Sequence, residues 1–368
     1  MEDLSYLKTE YNSIVLEKDE LIKVLNLVSK VSHTNSSSIE CSCLTFIPDW
    51  ERKTLVLATT NDLTYFRANV ELLGENSNAL RDVFSIKIDT LNKIKQFFRN
   101  KVLIYKKESE FYIRLLDGDL LIHTAVPNMQ RLTFTTSIKE LIYENNVEDF
   151  TNILSIYSNM TDEYSDKWLS FDTEKLSLCG TTFYAETKLN TPLMCLLMTD
   201  VDLIIKLSQY YASSTLQIFS TDSVNYIPRL QLKVANIEIE ILNVVSSLNK
   251  STINTLTAFV EEPMYIIETD AVKRVINIAL NLIDIEKDLR IKVSDKGIVI
   301  ILKSSKGDSE FNLNTQKLKE SSKKEVVLSV NTLNKIIGSI NSEKIGICLG
   351  KVYTSISSEN TRAIILNK

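Results

Sequence analysis

The sequence predicts an α+β protein: three similar domains, each made of two copies of a strand–helix–three-strand (βαβββ) unit. Three observations lead there. A chain of 368 residues is too long for one ordinary core and comfortable for two or three. Its hydrophobic pattern switches between a helical and an alternating period in the same order six times. At three of these switches an aspartate (Asp89, Asp200, Asp270) stands where a strand pattern gives way to a helix pattern.

The first unit opens with Ile14-Val15-Leu16 and continues into a helix near Asp19–Ser32, then strands near Ile39–Phe46, Thr54–Thr60 and Thr64–Leu72. In the second, Val83–Ile88 leads to a helix over Asp89–Asn100 and strands near Val102–Tyr105, Phe111–Leu116 and Leu120–Val126. Helices near Val147–Met160 and Asp200–Tyr211 head the third and fourth units, and helices near Asp270–Asn281 and Val330–Ile340 the last two. Alternating runs follow these, such as Lys175-Leu176-Ser177-Leu178-Cys179 and Gly297-Ile298-Val299-Ile300-Ile301. The three aspartates are expected to act as N-caps. With eight glycines and five prolines in the chain, strand turns must rely on Asn, Asp, Ser and Lys. Pairing the units gives domains at residues 1–135, 136–250 and 251–368.

Composition narrows the function classes. Hydrophobic residues at 44% and charged residues at 24% are ordinary for a soluble globular protein. No stretch reaches the roughly 20 apolar residues that span a bilayer, and Met1-Glu2-Asp3-Leu4 lacks a signal-peptide pattern. Cys41, Cys43, Cys179, Cys195 and Cys348 are an odd, scattered set without zinc-knuckle spacing, and Cys41 and Cys43 would share one strand face. These features indicate a reduced, cytoplasmic protein. The net charge of −5 disfavours a domain that grips nucleic acid but not one that surrounds it with a locally positive inner surface.

Enzyme chemistry is poorly served. His33 and His123 are the only histidines, one in a polar loop and one on an alternating strand, and no glycine-rich phosphate loop exists. Asp284-Ile285-Glu286-Lys287-Asp288 could offer oxygen ligands to a divalent cation but reads better as a solvated turn. A metal-dependent nuclease is therefore a remote alternative. No catalytic residue, metal or cofactor is expected.

Several segments carry a family resemblance. Leu21-Ile22-Lys23-Val24-Leu25-Asn26-Leu27-Val28-Ser29, Thr60-Asn61-Asp62-Leu63-Thr64, Phe84-Ser85-Ile86, Ala125-Val126-Pro127-Asn128 and Val327-Leu328-Ser329-Val330-Asn331 occur in order along the chain. Together, from about Tyr11 to Lys368, they resemble the bacterial DNA polymerase III β sliding clamp. The resemblance implies a divergent clamp, of a kind that a phage or mobile element of an AT-rich host could encode. The resemblance implies the DNA clamp fold, with helices lining a central channel and sheets outside. It implies a head-to-tail ring, a homodimer, around double-stranded DNA, with a DNA polymerase and a clamp loader as partners. A clamp-like adaptor that docks on a replication or transcription complex without encircling DNA is the alternative.

Under that resemblance the DNA-facing residues are Lys23, Lys30, Lys93, Lys95, Arg99, Lys101, Lys206, Lys273, Arg274 and Lys335. The six helix regions sum to +3, leaving −8 for the remainder of a chain whose total is −5. An apolar partner pocket is implied at Leu169, Thr181, Thr182, Phe183, Tyr184, Ile253, Leu256, Ile364 and Leu366. The sequence departs from the family there and elsewhere. Phe183-Tyr184-Ala185 stands where the family has Arg-Leu, and Leu366-Asn367-Lys368 replaces Met-Pro-Met-Arg-Leu. Asn35-Ser36 replaces Arg-Pro after the first helix, and the linker lacks its Phe-Pro.

Overall fold

A computed structural model describes residues 7, 9–32, 38–73, 78–134, 137–155, 168–172, 175–179, 183–188, 194–221, 228–243, 262–281, 285–294, 297–304, 307–319, 325–340 and 342–367. The six units are all present. The first comprises β1 (Asn12–Glu17), α1 (Lys18–Val28), a helical turn α2 (Ile39–Ser42), β2 (Cys43–Asp49), β3 (Thr54–Thr60) and β4 (Tyr65–Glu71). The second has β5 (Phe84–Lys87), α3 (Ile88–Ile94), β6 (Phe98–Lys107), β7 (Glu110–Leu115) and β8 (Gly118–Ile122), with a short β9 (Thr124–Ala125) after it.

The third runs β10 (Ile138–Asn146), α4 (Val147–Ser155), β11 (Trp168–Asp172), β12 (Lys175–Cys179) and β13 (Phe183–Lys188). The fourth runs β14 (Met194–Leu197), α5 (Met198–Tyr211), β15 (Thr215–Thr221), β16 (Arg229–Val234) and β17 (Ile237–Leu242). The fifth has β18 (Tyr265–Glu268), α6 (Thr269–Asn281), β19 (Ile285–Ser294), β20 (Gly297–Ser304) and β21 (Gly307–Lys317). The sixth has β22 (Glu325–Ser329), α7 (Val330–Gly338), β23 (Lys344–Leu349), β24 (Tyr353–Ser357) and β25 (Thr361–Leu366).

Each unit gives away its first strand. Strand β1 pairs with β6 of the second unit, while β5 of the second pairs with β2 of the first. The same exchange joins β10 to β15, β14 to β11, β18 to β23 and β22 to β19. Apart from β18, which also pairs with β21 of its own unit, a lone unit would leave that strand with unpaired backbone groups, so two units form one folding pair.

By contact density the chain divides into residues 1–151 with 202–243, and residues 152–201 with 244–368. The first part holds the sheet β1-β6-β7-β8 and the sheet β10-β15-β16-β17-β4-β3-β2-β5-β9. The second holds the sheet β14-β11-β12-β13-β25-β24-β23-β18-β21-β20-β19-β22. All of the strand pairs within these sheets are antiparallel. Two seams continue a sheet from one pair of units to the next: β4 with β17 and β13 with β25.

Helix α1 buries Leu21, Val24, Leu25 and Val28, a stripe at the spacing of one helical face. Val272, Val275, Ile276 and Ala279 do the same in α6, as Val330, Leu333, Ile336 and Ile337 do in α7. Tight turns without glycine use left-handed residues at Lys53, Asp62, Glu108 and Ala235, with φ of 51°, 71°, 55° and 50°.

Four sequence expectations need correction. Ile39–Ser42 is a helical turn, so Cys41 and Cys43 are not two residues of one strand; both are buried thiols. The second helix ends at Ile94, and after a 3-10 turn at Lys95–Phe97 strand β6 begins at Phe98. Buried Phe98 and the Val102-Leu103-Ile104 run draw that segment into the sheet, with Lys101 opposite Glu17. Asp89, Asp200 and Asp270 lie inside their helices' first turns and complement the dipole; a side-chain cap is provided instead by Ser329, whose hydroxyl accepts from the Thr332 amide on α7. Ile285–Asp288 opens strand β19 and is not a turn.

Asp284 and His33 lie outside the described residues. Among the described residues no group of three metal-ligating side chains occurs, and no helix is long and apolar enough to cross a membrane.

Candidate functional site: the helix cations and the end of the last sheet

The ten cations singled out by sequence fall into five groups. Lys23 on α1 sits 2.6 Å from Glu20, and Lys93 on α3 sits 2.6 Å from Asp89. Lys30, just past α1, lies 3.9 Å from Asp202 of α5. Lys95 and Lys273 bind neutral oxygens: Lys95 donates to the side chains of Asn26 and Asn92, Lys273 to the carbonyl of Ile340. Lys206, Arg274 and Lys335 remain on helices, Arg274 exposed. Burial pulls the Lys335 ammonium below its usual range.

Arg99 and Lys101 leave the helix set altogether. Both are on β6, where Arg99 donates to the carbonyls of Leu115 and Leu116, and Lys101 lies 3.8 Å from Glu17. Without these two and Lys30, which lies past α1, the six unit helices and the 3-10 turn at Lys95–Phe97 carry no net charge.

Asn26 brings three helical segments of the first part together. Its amide donates to the Tyr210 hydroxyl of α5 at 2.7 Å, and its oxygen receives Lys95 of the 3-10 turn. Beside it, burial and nearby Glu20 push the Tyr211 phenol up to about 12. Nothing in the local sequence of Asn26 signals this role, because its partners lie 69 and 184 residues away.

A second polar cluster escaped sequence reading. Arg131, in a 3-10 turn at Met129–Leu132, grips Asp62 with both carboxylate oxygens at 2.6 and 2.7 Å and reaches Glu40 at 3.3 Å. Burial pushes the Glu40 carboxyl up, but the Asn128 amide, the Ser38 hydroxyl and Arg131 hold it below its ordinary value. On the other side of the same turn, Arg229 of β16 donates to the Leu63 carbonyl, lies over the Tyr65 ring at 5.1 Å and pairs with buried Glu240 at 3.2 Å. The two arginines thus hold the β3–β4 turn at the β4–β17 seam.

At the other seam, the expected pocket residues separate by burial. Tyr184 is closed off from solvent, its hydroxyl donating to Glu186 and lying 3.2 Å from the Ser177 hydroxyl, and Ile364 opposite it is equally buried. As the chain stands, those two belong to the core and not to an open pocket wall. Leu366 is 36% exposed, and Val352, in the turn that faces it, is 53% exposed. Asn367 fixes that turn, its amide donating to the Val352 carbonyl and its side chain to Gly350. Leu169 and Phe183 pair within β11 and β13, whereas Thr181, Thr182, Ile253 and Leu256 lie outside the described residues. A polar cavity of 670 Å³ lies at the opposite end of β13 and β25, lined by Thr187, Thr361, Ser358, Glu343 and Lys344 among others.

No protein-family model matches this sequence, and no curated protein matches it. Solved structures do. A provisionally named DNA polymerase III beta subunit from Eubacterium rectale is similar with a TM-score of 0.76 at 12% identity, over 97% of this chain and 99% of that one. The DNA polymerase III subunit beta of Pseudomonas aeruginosa gives 0.74 at 11% identity, with the same coverage. The Helicobacter pylori beta clamp, bound to a DNA ligase peptide, gives 0.68 at 10% identity over 97% and 99%.

The chain therefore has a sliding-clamp fold. Within that class its architecture is that of the DNA polymerase III beta subunit, end to end, at an identity where the fold alone carries over.

Proposed function

We propose that this chain is a DNA sliding clamp, the processivity factor of a replicative DNA polymerase, with no catalysis of its own. The observation that supports this best is the sixfold unit with exchanged first strands, similar over 97% of the chain to a DNA polymerase III beta subunit. Its domains would span residues 1–135, 136–250 and 251–368.

Two sheet edges suit ring closure by a second copy. Strand β8 pairs with β7 on one side, and β21 pairs over Asp308–Asn314 with β20 on one side; among the described residues neither strand has a partner strand on the other side there. Leu120 on β8 and Phe311 on β21 are half-buried, each opposite a core residue, Ile113 and Ile300. Joining β8 of one copy to β21 of another would satisfy the idle backbone groups and cover both side chains. Two such joints close a head-to-tail dimer. Topology then holds the duplex, so the helix cations need only weak phosphate contacts. We assign the exposed Leu366 and Val352 to peptides of the polymerase, the clamp loader and other partners, as the Helicobacter pylori clamp holds a ligase peptide.

Sedimentation equilibrium at micromolar concentration should return twice the 41.9 kDa chain mass, and Leu120→Asp should return the single mass. The wild-type ring should stay on nicked circular DNA after loading and leave when the circle is cut. A strict monomer at every concentration would overturn the ring and favour the non-encircling adaptor, which helices without net charge would suit.

A further inference from the structure

The cations expected to meet DNA are met first by the protein's own acids. Glu20 and Asp89 each hold a lysine on their own helix at 2.6 Å, and Asp202 reaches Lys30 from a different helix at 3.9 Å. Such half-exposed pairs contribute little to folding. Helix economy explains the first two in part, as first-turn acids at i,i+3 and i,i+4 spacing. It does not explain Asp202, half-buried, whose carboxyl burial pushes up even with Lys30 opposing.

We infer that Glu20, Asp89 and Asp202 are charge-compensating residues that set how loosely the helix layer holds duplex DNA. The inference rests on the sliding-clamp reading. Each phosphate neutralised by a protein cation releases condensed counterions, and the observed affinity falls with salt at a slope of roughly −0.9 per contact. A cation that already has a carboxylate neighbour gains less from a phosphate, because the same acid repels the backbone. Three compensated lysines therefore subtract from both the affinity and its salt dependence. For a ring that cannot fall off a closed duplex, weak friction is an advantage: a tight grip would slow translocation without improving retention.

The test uses the full-length dimer and a fluorescent 30-base-pair duplex, with binding followed by anisotropy from about 20 to 200 mM salt. Glu20→Gln, Asp89→Asn and Asp202→Asn keep side-chain shape while removing charge. Each should tighten binding about threefold at the lowest salt, and the triple variant should steepen the log–log salt slope by roughly 2 to 3. Lys23→Glu and Lys93→Glu report separately on whether this layer faces DNA, and should weaken binding. Weakening by these two without any tightening by the three amides overturns the charge-compensation inference alone. No response to any of the five variants overturns the DNA-facing reading beneath it. Unchanged sedimentation mass and melting curves check that the variants remain folded dimers.

Discussion

Replacing Arg229 by methionine tests the β4–β17 seam directly. The guanidinium is 11% exposed and sits 3.2 Å from Glu240, which is wholly buried. It also donates to the Leu63 carbonyl at 3.1 Å and covers the Tyr65 ring. Methionine fills most of the stem's volume but removes the charge facing Glu240. Breaking one side of a buried ion pair typically costs about 3–5 kcal/mol, mostly the penalty of the remaining charge. The ring contact and carbonyl bond belong to the same network, so their contributions do not add to that figure.

The loss should appear in urea unfolding followed by tryptophan fluorescence and far-UV circular dichroism, fitted with more than one transition because the chain has two compact parts. Amide exchange should accelerate along Tyr65–Ala68 and Ile237–Glu240, the paired residues of the seam. Replacing Glu240 by leucine in the Arg229→Met background should recover much of the stability, since a well-packed apolar pair often matches a buried ion pair. A loss below about 1 kcal/mol for Arg229→Met, or no recovery in the double variant, would refute the reasoning.

Acid should weaken the first part of the chain through Glu40 and Asp119, both held below their ordinary values of 4.5 and 3.8. Depressed carboxyls contribute stability that is full above those unfolded values and lost as pH falls through the folded ones. Arg131→Gln should therefore cost most near pH 7 and little near pH 3; a difference independent of pH in urea titrations would contradict this. Gly346→Ala would drive a Cβ into Pro263 and to 2.9 Å from the Ser357 hydroxyl, so it should destabilise by about 1–3 kcal/mol in thermal melts, and a neutral result would show that Pro263 yields easily. Leu366→Ala should weaken a polymerase C-terminal peptide roughly tenfold by calorimetry while leaving duplex binding unchanged; unaltered peptide binding would move the partner site elsewhere.

Period and order made the architecture readable. The apolar run within Thr54–Thr60 and the alternation of Lys175–Cys179 give strands that match the structure residue for residue. The end of α3 is not readable, because Phe97-Phe98-Arg99 continues a helical spacing while the pairing of Phe98 with Leu115 of β7 is a tertiary event. Strand exchange between units is invisible for a similar reason: period 2 says which residues share a face, not which strand lies alongside.

The candidate site was legible in position but not in state. Alternation placed Ile364 and Leu366 on one face, yet only the fold shows the first buried beside Tyr184 and the second open to solvent. Likewise, Lys30 reads as a free cation until α5 brings Asp202 to it from 172 residues away.

The β4–β17 seam bears on how the chain emerges from the ribosome. Strand β4 waits for β17, whose last residue is Leu242, so the first compact part cannot be completed while only an N-terminal third has been made. During that interval β4 presents an unprotected edge with Phe66, Ala68 and Val70 on its core face. Synthesis pauses or truncations between residues 135 and 243 should then yield sticky intermediates that seek another strand, whereas a stop just after Asn243 should leave a fragment with its long sheet complete. The order in which residues leave the exit tunnel, more than the count of repeats, decides where this protein can be divided.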